Sequence, residues 1–274
     1  MRSLLKEAGL HTVCQAARCP NIGTCWEHGT ATFMILGRHC TRHCRFCAVP
    51  HGRPAAPDAD EPHRIATAVR QLGLRYIVIT SVTRDDLSDG GAGHFARTIR
   101  AIREMDPALG IEVLIPDFQL NPVALHKVVE ARPDVIAHNI ETVAALYPQI
   151  RPQADYRRSL QVLQGIHQLD DSILVKSGFM VGLGETDEQI RILMEDLRAR
   201  GVAMLTIGQY LAPSQMKRHV PVQRFVAPEQ FDVYKQTALD MGFTFVMSGP
   251  LVRSSFFAEA GYRSCLSQMD PVRP

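Results

Sequence analysis

From residue 31 onward, short apolar runs of strand length alternate with amphipathic segments of helix length, and this alternation limits the possible folds more than any other feature. The apolar runs are 32–36, 76–80, 111–115, 135–137, 173–179, 204–207 and 243–247; the helical patterns between them are 62–72, 92–105, 122–131, 156–169, 185–200 and 228–241. Strands separated by helices imply parallel βα units, because parallel neighbours need a crossover to return the chain to the same end. The expected fold is α/β, a partial (β/α)6-type or complete barrel, with an open doubly wound sheet as the alternative. The 274 residues suit one large domain or two small ones, with a substantial core. Residues 1–30 show little periodicity and read as an N-terminal extension, 31–248 as the barrel, and 249–274 as a C-terminal extension.

Polar residues cluster where these strands end. Residues 76–80 run into Ser81-Val-Thr-Arg-Asp-Asp, 111–115 into Pro116-Asp117-Phe118, 135–137 into His138-Asn139-Ile140-Glu141-Thr142, and 204–207 into Gly208-Gln209-Tyr210. In a parallel barrel the C-terminal strand ends share one face, where active sites assemble. Taken singly, Asp85, Asp86 and Asn139 could as well cap helices. Gly182-Leu-Gly-Glu-Thr186 reads as a turn allowing close backbone approach to a ligand, with Glu185 and Thr186 starting the next helix.

Six of the seven cysteines form two triplets, Cys14, Cys19, Cys25 (C-x4-C-x5-C) and Cys40, Cys44, Cys47 (C-x3-C-x2-C). The N-terminus lacks the pattern of a signal peptide and no apolar run approaches the ~20 residues of a membrane span, so a cytoplasmic location with reduced thiols is expected. Polar, Gly and Pro neighbours place both triplets in loops. Zinc prefers four ligands, usually as two pairs; two triplets suit cubane iron–sulfur ligation better. The lone Cys265 reads as a buried small hydrophobe, and His39 and His43 as flanking rather than ligating groups. Thirty basic residues against 28 acidic ones give a formal charge of +2 and no basic tail, so charge does not point to nucleic acid.

The C-x3-C-x2-C loop after the first strand, with Phe46 before its last cysteine, resembles that of the radical S-adenosylmethionine (SAM) superfamily. CPNIGTCW (19–26), ITSVTRDDLSDGGA (79–92), EVLIPDF (112–118), HNIETV (138–143), KSGFMVGLGET (176–186), TIGQYLAPS (206–214) and GPLVRSS (249–255) resemble the lipoyl synthase family within it. The resemblance implies two 4Fe–4S clusters. Cys40, Cys44 and Cys47 would hold one and leave an iron open for SAM; Cys14, Cys19, Cys25 and Ser255 would hold an auxiliary one that donates sulfur. Asn139, Glu141, Lys176 and Arg151 are the candidate SAM contacts, and Arg253, with Arg151, a candidate for positioning cluster or substrate. The implied reaction inserts two sulfurs, at carbons 6 and 8, into an octanoyl chain on a lysine of a lipoyl carrier domain. The implied partners are 2-oxoacid dehydrogenase E2 subunits, the glycine cleavage H protein and a low-potential donor such as ferredoxin or flavodoxin, with neither nucleic acid nor membrane. Phe256-Phe257 stand where the family usually has Tyr-His. The remaining readings are another radical SAM sulfur-inserting or methylthio-transferring enzyme, a non-catalytic iron–sulfur protein, and a zinc module.

Overall fold

The computed structural model describes residues 2–17, 19–27 and 29–269. Residues 1, 18 and 28 of the N-terminal extension and 270–274 of the C-terminal one lie outside the described residues. The order is α1 (Arg2–Glu7), α2 (Val13–Ala16), α3 (Ile22–Glu27), β1 (Thr32–Ile35), α4 (Glu61–Gln71), β2 (Tyr76–Ser81), α5 (Ala92–Met105), β3 (Gly110–Leu114), α6 (Pro122–Glu130) and β4 (Val135–Ala137). It continues α7 (Tyr147–Ile150), α8 (Tyr156–Leu169), β5 (Leu174–Val181), α9 (Asp187–Arg198), β6 (Met204–Gln209), α10 (Pro228–Asp240), β7 (Phe245–Gly249) and α11 (Ala258–Met269). The chain divides into two compact units, Met1–His43 with Cys47–Ile136, and Cys44–Phe46 with Ala137–Pro274. The division falls inside β4.

In the first unit β1 pairs in parallel with β2, and β2 with β3; Phe33 stands opposite Ile79, and Ile79 opposite Val113. All four residues of β1 are buried, as expected of a parallel strand covered on both faces. On α5, Phe95, Ile99 and Ile102 recur at helical spacing and are buried. In the second unit β5 pairs in parallel with β6, and β6 with β7, Ile207 standing between Phe179 and Ser248. Helix α9 begins at Asp187, two residues later than the pattern suggested, because Thr186 and Gln189 form a reciprocal capping box.

Two expectations fail locally. Cys14 and Cys25 lie on α2 and α3, not in loops, and Cys14 is buried. The missed signal is Thr12, whose hydroxyl accepts the Gln15 N–H (3.3 Å) and starts α2. Strand β1 stops at Ile35 because Leu36 takes a left-handed conformation (φ 68°). That costly geometry is held at both backbone ends: the Leu36 N–H donates to the buried Glu61 carboxylate (2.9 Å) and its carbonyl accepts from Arg84 (3.2 Å). Glu61 is in turn fixed by His94 at 2.7 Å.

Candidate active site

The 40–47 loop opens directly after β1. In the first unit, the Cys40 N–H donates to the Pro50 carbonyl and Gly52 N–H to that of Cys40, 2.9 and 3.0 Å, closing the base of the loop. The Thr41 N–H and hydroxyl both donate to the Thr83 carbonyl at 3.0 Å. Arg42 is the main anchor. Its guanidinium forks onto Asp85 (2.6 and 2.8 Å) and Asp117 (2.7 and 2.9 Å), the carboxylates that follow β2 and β3. Burial works against its charge, but the hydrogen bonds and charges of Asp117 and Asp85 outweigh that and raise its pKa well above the usual value. Asp85 and Asp86 therefore cap no helix: Asp85 holds Arg42, and Asp86 holds Arg84 at 2.8 Å. The sequence placed Asp85 and Asp117 correctly at the strand ends but did not reveal Arg42 as their common partner.

Cys44–Phe46 belong to the second unit. There the Arg45 N–H donates to the Ile150 carbonyl (2.9 Å), and the Arg45 carbonyl accepts from Val220 N–H (3.1 Å). Phe46 packs on Ile150, Leu183, Tyr210 and Val220. Its aromatic ring serves as an anchor for the loop.

The seven cysteines are free thiols. Cys40 Sγ accepts the Thr83 N–H at 3.3 Å, a contact that orients the sulfur. In the first triplet, burial and then the charges of Cys19 and Cys14 push the Cys25 thiol up to about 11. Among the described residues no three His, Cys, Asp or Glu side chains converge as a ready metal cage. The donor chemistry fits iron–sulfur ligation.

The turn after β4, within the second unit, gathers most of the other candidates. Glu141 has a left-handed backbone (φ 67°), with its N–H on the Gly178 carbonyl (3.0 Å) and its own carbonyl accepting from Met180 N–H (2.9 Å). Burial pushes its carboxyl up, opposed by the charge of Arg151 and a hydrogen bond from Asn139. Arg151 is a frame for this turn: its guanidinium donates to the carbonyls of Asn139 (3.1 Å) and Ile140 (3.3 Å) and to the Tyr147 hydroxyl (2.9 Å). Asn139 Oδ1 accepts from Ser254 Oγ at 3.2 Å, so the C-terminal Arg-Ser-Ser segment reaches this turn. Gly178 makes room for the contact, since a Cβ there would stand 2.3 Å from Thr206 Oγ1 and 3.2 Å from Asn139 Oδ1.

Arg253 lies at the end of β6, donating to the Gln209 carbonyl at 3.4 Å. Ser255 sits in the half-buried turn just before α11. Lys176 is buried in the N-terminal half of β5, opposite Met204; its carbonyl accepts the His138 N–H (3.0 Å), and its charge opposes the burial that raises the Cys265 thiol to about 11. The Gly182–Glu185 turn also differs from its reading. The Glu185 carboxylate accepts the N–H groups of Gly182 (2.7 Å) and Leu183 (2.9 Å), so the turn is filled by its own anion.

A parallel βα fold whose first strand opens into this pinned three-thiol loop defines a radical SAM enzyme, and residues 34–197 match the Radical SAM superfamily. That membership implies a 4Fe–4S cluster and SAM. The fold alone is shared with methylornithine synthase (TM-score 0.54, 15% identity, 99% of this chain and 93% of that one) and with SuiB of Streptococcus suis bound to its precursor peptide SuiA (TM-score 0.61, 10% identity, 90% and 52%). Closer in sequence are the lipoyl synthases of Caldanaerobacter subterraneus subsp. tengcongensis (55% identical over 95% of this chain and 91% of that one), Rubrobacter xylanophilus (56%, 94% and 80%) and Klebsiella pneumoniae (53%, 94% and 80%). The chain belongs to the lipoyl synthase family. No helix among the described residues is long and apolar enough to cross a membrane.

Proposed function

We propose that this enzyme is a sulfurtransferase that inserts two sulfurs, at carbons 6 and 8, into an octanoyl chain carried on a lysine of a lipoyl carrier domain. The observation that carries the reading is the 40–47 loop, whose three thiols are offered from a backbone pinned by Arg42 and Phe46. When bound there, the cluster and SAM supply a 5′-deoxyadenosyl radical able to take hydrogen from an unactivated carbon, chemistry beyond the reach of protein acids and bases. Cys40, Cys44 and Cys47 hold that cluster. Thr83 N–H supports the Cys40 sulfur, and Asn139 and Glu141 offer SAM their polar atoms while Arg151 fixes the turn that carries them. Cys14, Cys19, Cys25 and Ser255 hold the auxiliary cluster that serves as sulfur source. A serine oxygen is a poor partner for soft iron–sulfur chemistry, so Ser255 marks its labile corner. Arg253 positions the segment bearing Ser255. Lys176, buried on β5, completes the set of proposed SAM contacts. The substrates are octanoylated E2 domains and the H protein, and a ferredoxin or flavodoxin delivers the electron.

Anaerobic reconstitution with iron and sulfide, followed by SAM, reductant and an octanoyl-lysine peptide, tests the assignment. Dithiolated product and two clusters per chain are expected; Cys40→Ala abolishes deoxyadenosine formation, and Ser255→Ala retains it but loses sulfur insertion. Deoxyadenosine without dithiolated peptide in the unmodified enzyme would refute sulfur insertion and leave the radical chemistry standing.

A further inference from the structure

The substrate of the proposed reaction is a whole folded domain, and its reacting carbons hang at the end of an octanoyl-lysine arm. Fully extended, that arm is about 15 Å long by ordinary covalent geometry. The body of the carrier must therefore rest on protein surface close to the 40–47 loop. In the second unit one exposed feature is bonded directly to that loop. The Arg45 guanidinium donates to the Lys217 and Arg218 carbonyls (3.4 Å each), and Val220 N–H returns to the Arg45 carbonyl (3.1 Å).

These residues form a prebuilt turn, 214–219. Ser214 Oγ bonds His219 Nδ1 at 2.8 Å and accepts the Met216 N–H at 3.2 Å, and the His219 N–H donates to the Met216 carbonyl at 2.9 Å. His219 is buried beneath; Met216, 55% exposed, and the exposed Lys217 and Arg218 point outward in succession. From Tyr210 to Pro228 the chain contains no Asp or Glu. Arg224, the remaining cation of this stretch, is engaged by Asp187 at 3.1 Å, whereas Lys217 and Arg218 have no carboxylate partner among the described residues. Two cations without a carboxylate partner beside a polarisable methionine, on a hydrogen-bonded turn rooted at the radical loop, suit a partner surface with carboxylates around a small apolar contact.

We propose that turn 214–219 docks the acidic face of the octanoylated carrier domain, an inference that rests on the function proposed above. A lone surface charge pair is ordinarily just solvated, so the test must separate docking from general charge. Affinity of the reconstituted enzyme for fluorescently labelled, octanoylated H protein is measured across a salt series, alongside turnover of that domain and of a short neutral octanoyl-lysine peptide. The charge reversal Lys217→Glu/Arg218→Glu is expected to weaken binding and raise the carrier KM about tenfold, to flatten the salt dependence, and to leave the peptide KM and deoxyadenosine yield unchanged. Reversal of the exposed Arg70 and Arg100 to Glu changes net charge equally and should leave carrier affinity intact. Docking is overturned if carrier affinity survives the first reversal, if the Arg70/Arg100 control weakens it as much, or if peptide turnover falls in step. Failure of the unmodified enzyme to insert sulfur into either substrate, with carrier binding still lost in the reversed turn, would sink the chemical assignment and keep the docking site.

Discussion

Arg42 gives the sharpest test of how the radical loop is held. The perturbation is Arg42→Met, which preserves much of the side chain's volume but removes its fork. Asp117 has no exposed side-chain surface and Arg42 only 5%, while Asp85 is 25% exposed. Loss of the cation therefore leaves the buried Asp117 with its Gln119 N–H (3.0 Å) but without its counter-charge, and lets Asp85 rehydrate. An uncompensated buried charge of this kind costs about 3–5 kcal/mol, several times the 0–1 kcal/mol typical of an exposed pair. The chain has a single tryptophan, Trp26, which lies in the same unit as Arg42, Asp85 and Asp117. Its fluorescence during anaerobic urea unfolding of the cluster-free protein reports on the unit that carries the clamp. Arg42→Met should lower the midpoint by the equivalent of about 3–5 kcal/mol with little change in slope. Arg42→Lys should fall between, because an ammonium cannot fork onto two carboxylates at once. Adding Asp117→Asn to Arg42→Met should restore about half the loss, since the orphaned charge is then gone. A loss below about 1 kcal/mol, or no recovery on neutralising Asp117, would refute the reasoning, because it would mean that water already reaches the clamp.

Other outcomes follow from neighbouring contacts. Gly178→Ala should weaken SAM binding about tenfold in equilibrium dialysis, as overpacking against Thr206 and Asn139 costs about 1–3 kcal/mol. Ser254→Ala, which loses one hydrogen bond worth about 1 kcal/mol, should weaken SAM binding about fivefold and leave the iron content unchanged. Asp89 is pulled below the usual carboxylate range: burial opposes this, but the N–H groups of Gly93 and Gly91 and the charge of Lys127 prevail. A depressed folded pKa contributes stability that is present above the unfolded value of about 3.9 and lost as pH falls through the folded one. Asp89→Ala should therefore cost about 1 kcal/mol at neutral pH, and urea midpoints of the two proteins should converge on acidification.

Much of the site was legible before any coordinates. The polar clusters do follow their strands, and Asn139, Glu141 and Arg151 do come together after β4. What the residue pattern could not distinguish was the role of each polar group once it was there. Arg151 read as a ligand contact, and the pattern gave no sign that its Nη1 would donate to two carbonyls and a hydroxyl of the turn itself. Lys176 sits within a stretch that resembles the family; its carbonyl accepts the His138 N–H at the start of the β4 turn, and its charge bears on Cys265. Glu185, three residues after Gly182, turned out to be the anion of its own glycine turn.

By itself the sequence determined the α/β alternation, the two cysteine triplets and the family, because periodicity, composition and motif spacing are properties of the chain in one dimension. Tertiary structure alone decided which side chains act as anchors. Arg42 reaches carboxylates 43 and 75 residues away, and Ser254 meets Asn139 across 115. Such pairings depend on which strand ends become neighbours and on which charges lose their water, quantities that exist only once the chain has folded.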